Sequence, residues 1–151
     1  MPSTSIWIHL IWATKNRSTT LTKQLREILF LHIEENARGK EIRLDTIGGV
    51  SDHVHLLVRL MPDQQVSKIV QLIKGESSHW VNSQHITRFK FEWQDEYMAL
   101  SVGHRHLHRV RNYILNQEGH HRKDTTGKNW KSTQAEAGIG RVETRPHGGD
   151  R

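Results

Sequence analysis

The stretch Ser51-Asp52-His53-Val54-His55-Leu56-Leu57-Val58 constrains the fold more than any other, because it reads as a strand whose two faces differ in chemistry. A strand repeats every two residues. His53 and His55 therefore project from one face with Cα atoms about 6.6 Å apart, while Val54, Leu56 and Val58 point the other way into a core. Two neutral imidazoles so placed can grip one metal ion and leave most of its coordination sphere open for another ligand, water or a substrate oxygen. Taken alone, a His-x-His pair on a half-buried strand is more often polar surface than a metal site.

The flanking segments give that strand its neighbours. Ile6 to Trp12 is a nearly continuous apolar run rich in β-branched and aromatic residues, expected as a central strand covered on both faces. After the polar turn Lys15 to Thr20, with Thr20 or Thr22 as cap, Leu25, Ile28, Leu29, His32 and Ile33 recur at helical spacing. They predict an amphipathic helix from about Thr22 to Arg38 that Gly39 ends. Ile42 to Ile47 reads as a strand antiparallel to the histidine strand, with Gly48-Gly49 as the turn or a bulge. Beyond Pro62, Val66, Ile69, Val70, Ile73, Trp80 and Val81 predict a second helix. Its Gly75 costs roughly 1 kcal/mol against alanine and would permit close approach of another backbone, a nucleic-acid strand included.

Phe91 to Trp93 and Tyr97 to Val102 supply a last strand, and His104 to about Glu118 a last helix with Leu107, Val110, Ile114 and Leu115 as its apolar positions. The order predicts an α+β fold, a ferredoxin-like or RRM-like βαββαβ sandwich with an antiparallel sheet, both helices on one face, the other face bare, and an added C-terminal helix. Residues 1–130 are expected to form one domain, and 131–151 a polar, flexible tail.

Composition narrows the partners. The chain of 151 residues has no cysteine, so a disulfide framework and thiolate metal sites are excluded. A net charge of +6, with twelve histidines counted as neutral, favours a polyanionic partner such as nucleic acid. No basic region precedes the apolar run before Trp12 and no segment approaches bilayer length, so a cytoplasmic location without membrane insertion is expected.

In the last helix Tyr113 and Gln117 stand one above the other at i, i+4. Tyr97 is the competing tyrosine, but it is expected at a strand start among core residues with no polar partner comparable to Gln117 at i+4. His-Val-His-Leu-Leu-Val, the Lys74-Gly75 pair and Tyr-x-x-x-Gln occur in order between about Trp7 and Gln117. Together they resemble the single-tyrosine HUH transposases of small bacterial insertion sequences with hairpin ends, the IS200-like family. The resemblance implies that His53 and His55 bind a divalent metal, Mg²⁺ or Mn²⁺, with Gln117 as third ligand and Tyr113 as nucleophile. The histidine-rich approach to the last helix, His104, His106 and His108, departs from the family pattern. Those three and His120-His121 are left outside the site.

The same resemblance implies cutting and rejoining of single-stranded DNA at hairpin-containing ends through a 5′-phosphotyrosine, in a homodimer whose active sites share the last helix. Lys68, Lys74, Arg105 and Arg109 are candidate phosphate contacts, and Asp52 is a candidate partner for a ligand histidine. Two other readings use the same residues: a non-catalytic RNA-binding module, and a phosphoesterase that activates water at His53 and His55. The RNA-binding reading lacks an aromatic Lys/Arg-Gly-Phe signature on its strands.

Overall fold

The computed structural model describes residues 3–117. The expected tail from 131 onward, the expected domain limit at 130 and His120-His121 lie outside them.

Among the described residues seven regular elements follow the predicted order: β1 (Ile6–Ala13), α1 (Lys23–Gly39), β2 (Arg43–Gly49), β3 (His53–Leu60), α2 (Val66–Ser83), β4 (Met98–Val102) and α3 (Leu107–Leu115). Short 3₁₀ turns at Lys15–Arg17 and His104–His106 precede α1 and α3. The four strands form one sheet in the order β2-β3-β1-β4, every pair antiparallel. The βαββαβ sandwich is therefore the fold, with the two most apolar strands, β1 and β3, at its centre. No helix among the described residues is long and apolar enough to cross a membrane.

The Thr22 side chain caps α1 by accepting from the Leu25 amide at 3.2 Å, a contact worth about 1 kcal/mol. Leu25, Leu29, Ile33 and Ala37 make its buried stripe. With Ile69, Val70, Ile73 and Val81 of α2 they cover Leu10, Trp12, Val54, Leu56 and Val58 on one sheet face. Gly39 remains inside α1, and the left-handed residue that turns the chain is Glu41, at φ 58°.

Four details differ from the sequence reading. Gly48 and Gly49 are strand residues paired with His55 and Val54, and the reversal is made by Val50 to Asp52. Phe91 and Trp93 pack in the main core from an irregular segment, joined to the sheet by a single bridge between Thr14 and Trp93. Tyr97 lies just outside β4 and is 39% exposed, so it is no core residue. Leu115 is 66% exposed and stands outside the buried α3 stripe of Leu107, Val110, Tyr113 and Ile114.

The second sheet face is also not bare. Leu107, Val110, Tyr113 and Ile114 of α3 pack against Leu57, Val102 and Trp7 there. Alternation along β3 decides this: Leu57 shares a face with His53 and His55, so covering Leu57 with α3 also covers the histidines.

Candidate active site

His53 and His55 are both buried, at 2% and 1% exposure, with ring centroids 5.1 Å apart. The Tyr113 ring lies 5.6 Å from that of His55 in an edge-on arrangement, and is itself buried. Gln117 follows one turn later, just past the last residue of α3. Its Nε2 donates to the Tyr113 carbonyl oxygen at 2.9 Å, and since only the amide nitrogen can donate, the amide oxygen is directed elsewhere. That Oε1 is buried with no hydrogen-bond partner among the described residues.

α3 is held in place by contacts the sequence did not announce. Between Leu44 and Thr46 the β2–β3 register slips by one residue, which leaves Asp45 as the bulged residue. Its carboxylate accepts from Arg111 Nε at 2.8 Å and Nη2 at 3.1 Å, and the same guanidinium lies 5.6 Å from the Trp7 ring centre. The Arg111 hydrogen bond, against an opposing burial effect and with help from Thr46, holds the Asp45 carboxyl below its ordinary range. Gly48 gives α3 room: a Cβ there would run into the Ile114 carbonyl oxygen.

Each strand histidine also has a partner behind it. His53 Nδ1 lies 2.7 Å from Asp52 Oδ1, and the other Asp52 oxygen accepts from Arg17 Nε at 3.3 Å. Burial alone would raise the Asp52 pKa, but His53 and Arg17 outweigh it and lower it. His55 Nδ1 lies 2.9 Å from Nε2 of His9, a β1 residue with no exposed surface. Burial pushes the His9 pKa down to about 4, so at neutral pH it is an uncharged imidazole. The His9 and Tyr113 rings are 6.2 Å apart.

The sequence reading did not single out His9. The signal was one polar residue inside the apolar run Ile6 to Trp12, on the face shared with Trp7 and Ile11.

The donor set suits a divalent ion. Both imidazoles have their Nδ1 atoms engaged, so each would offer Nε2 to an ion in the tautomer that carries its hydrogen on Nδ1, and the buried Gln117 Oε1 has no hydrogen-bond partner among the described residues. Among the described residues no three His, Cys, Asp or Glu side chains are grouped to hold a metal, and the amide oxygen of Gln117 is a further donor that could join the two imidazoles. A set of mixed nitrogen and oxygen donors could accept a divalent ion such as Mg²⁺ or Mn²⁺.

The four candidate DNA contacts are not gathered at this set. Lys68 is exposed on α2, whose apolar side packs on the opposite sheet face. The Lys74 ammonium donates to the carbonyl oxygens of Gln94, Asp95 and Glu96, and its partial burial lowers its pKa. Arg105 and Arg109 are exposed on the approach to α3 and on α3 itself, nearer the tyrosine in sequence. Exposed as well are His104, His106 and His108, the last with its Nε2 3.2 Å from Asn112 Nδ2.

The profile of the family described as "Transposase IS200 like" matches residues 2–117. The ISDra2 transposase TnpA of Deinococcus radiodurans is 26% identical over 114 residues, 72% of this chain and 81% of that protein. The transposase for insertion sequence element IS200 of Salmonella typhimurium is 25% identical over 114 residues, 72% and 74% of the two chains. A solved Deinococcus radiodurans structure assigned as a transposase superposes with a TM-score of 0.63 at 26% identity, over 77% of this chain and 93% of that one. The structure of a REP-associated tyrosine transposase bound to a REP hairpin superposes with a TM-score of 0.58, over 100% and 98% of the chains. At 17% identity that last likeness is one of fold.

Proposed function

Because the chain belongs to the IS200-like transposase family, we propose that it cuts and rejoins single-stranded DNA beside hairpins at element ends, in the cytoplasm, with Tyr113 as nucleophile. The observation that carries this reading is the buried convergence of Tyr113, His55 and His53 on one sheet face, with ring separations of 5.6 and 5.1 Å. A hairpin-bound relative of the same fold supports the substrate class.

The Tyr113 oxygen attacks the phosphorus of a DNA phosphodiester. The new O–P bond joins tyrosine to the 5′-phosphate as the bond to the 3′ oxygen breaks. The phenolic proton passes to solvent, and the departing oxygen takes one up to become a 3′-hydroxyl. Attack by a second 3′-hydroxyl on the phosphotyrosine restores the phenol and joins strands without ATP. A phenol with a reference pKa near 10 is only about a thousandth ionised at neutral pH, so the residues around it must favour the charged transition state. His53, His55 and Gln117 would hold the divalent ion, which when bound supplies Lewis-acid polarisation of a non-bridging oxygen. Asp52 keeps the His53 ring in place, and the Asp45–Arg111 pair keeps α3 against the sheet. Arg105 on the approach to α3 and Arg109 on α3 itself, both exposed, contribute phosphate contacts, and Lys68 adds positive charge on the far face.

The resemblance implies a homodimer that shares the helix between copies. The described residues bring Tyr113 beside the His55 of its own chain, which supports a site complete in one chain whether or not two copies pair.

Incubation with hairpin-flanked single-stranded DNA and Mn²⁺, followed by denaturing electrophoresis and peptide mass mapping, tests the reading. A covalent adduct on Tyr113, lost in Tyr113→Phe and kept in Tyr97→Phe, is the expected result. An adduct on Tyr97 would move the nucleophile. Cleavage with no adduct would favour the phosphoesterase, and binding without cleavage the RNA- or DNA-binding module.

A further inference from the structure

We propose that His9 is a positioning residue for the metal-binding pair: its Nε2 accepts the Nδ1–H of His55 and so fixes the tautomer that leaves the His55 Nε2 lone pair for an ion. The inference rests on the metal-dependent reading above, and nothing in the family match or the resemblance assigns a role to this residue.

The two nitrogens are 2.9 Å apart, with the rings tilted by 33° and both side chains buried. A neutral imidazole has one donor nitrogen and one acceptor nitrogen. A hydrogen bond between two neutral imidazoles therefore has two possible senses. If His9 donates, His55 carries its hydrogen on Nε2 and cannot bind a cation there. When His9 accepts, His55 carries it on Nδ1 and its Nε2 becomes a ligand. The second sense mirrors the neighbouring histidine, whose Nδ1 faces an acceptor-only carboxylate, Asp52, at 2.7 Å. Each strand histidine would then have its own acceptor behind it, a carboxylate for His53 and an imidazole for His55.

Strand geometry explains why His9 can do this and why it is costly. In the β1–β3 register Ile11 faces His55 and His9 faces Leu57, so His9 is the diagonal same-face neighbour of His55 on a central strand. Accepting at Nε2 puts the His9 hydrogen on Nδ1, which has no hydrogen-bond partner among the described residues. A buried polar group left unsatisfied is a standing cost. An apolar side chain at position 9 would avoid it, so the compensating gain has to come from what His9 does for His55.

Two measurements test the proposal. ¹⁵N-histidine NMR of the wild-type protein in EDTA reads the His55 tautomer directly. Nδ1–H is expected, and Nε2–H would overturn the proposal. Mn²⁺ affinity, read from the electron paramagnetic resonance of free Mn²⁺ without DNA, compares His9→Phe with His9→Gln, whose amide oxygen can reach the Nε2 position. His9→Phe is expected to bind Mn²⁺ about 10- to 100-fold more weakly and His9→Gln to recover most of the loss. Wild-type affinity in a folded His9→Phe, or no recovery in His9→Gln, would refute the role. Should His9→Phe not fold, the wild-type tautomer decides. Failure of the wild-type protein itself to bind Mn²⁺ would remove the metal from the proposed function, and the tautomer would still decide what His9 does.

Discussion

Replacing Gly48 by alanine should disable the site without touching any group in the chemistry. Gly48 stands directly opposite His55 in the β2–β3 ladder, and the α3 backbone passes over it. A Cβ at this position collides with the Ile114 carbonyl oxygen and lies 3.0 Å from its carbonyl carbon and 3.1 Å from its Cγ2. Carbon contacts relax at about 3.5–4.0 Å, so α3 must withdraw by roughly 1 Å. Ile114 is the residue after Tyr113, so the tyrosine moves with it.

Overpacking of this kind costs about 1–3 kcal/mol of stability, and a displacement of roughly 1 Å at a reacting group costs on the order of 10²-fold in rate. Single-turnover cleavage of hairpin-flanked single-stranded DNA should fall by about that factor, while hairpin affinity by fluorescence anisotropy changes little. Gly75→Ala is the control: a Cβ there meets nothing within 4 Å, so it should stabilise α2 by up to about 1 kcal/mol and leave the rate at saturating DNA unaltered. A Gly48→Ala protein that cleaves at the wild-type rate would refute the packing of α3 over His55 as the arrangement that acts.

Other perturbations address the remaining parts of the site. His53→Ala and His55→Ala should each abolish cleavage while keeping hairpin binding, and Gln117→Ala should raise the Mn²⁺ concentration needed for half-maximal rate; a Gln117→Ala titration that overlays wild type would remove the amide from the ligand set. Mixing a His53→Ala/His55→Ala chain with a Tyr113→Phe chain should restore no cleavage if each site is built within one chain, and recovered activity would show the helix exchanged between copies. Asp45→Asn should loosen α3 by no more than about 1 kcal/mol, since the ion pair is partly exposed. The folded Asp45 pKa is lowered, so its stabilisation is present above the ordinary carboxylate value and lost as pH falls through the folded one. Urea melts of wild type and Asp45→Asn should therefore converge on acidification, and a gap that widens would contradict the pairing.

Much of the fold was legible because it is written in local periodicity. The α1 stripe, the Thr22 cap and the alternation of β3 each depend on residues within a turn or two of one another; the structure keeps the cap and the alternation, and keeps the stripe at Leu25, Leu29 and Ile33 while Ile28 is exposed. The i, i+4 placement of Tyr113 and Gln117 was legible for the same reason, and it survives although regular α-helix ends at Leu115. Tyr97 was misplaced because an isolated run of apolar residues does not mark where a strand begins.

What the sequence by itself determined is the order of elements, the shared face of His53 and His55, and the candidate nucleophile. Only the tertiary structure decided that α3 closes over that face, that Asp45 and Gly48 seat it, and that His9 stands behind His55. The physical reason is distance along the chain. His9 and His55 are 46 residues apart, and Asp45 and Arg111 are 66 apart. Pairs so remote meet only through strand register and packing, and no periodicity within one element records which partner the fold will bring.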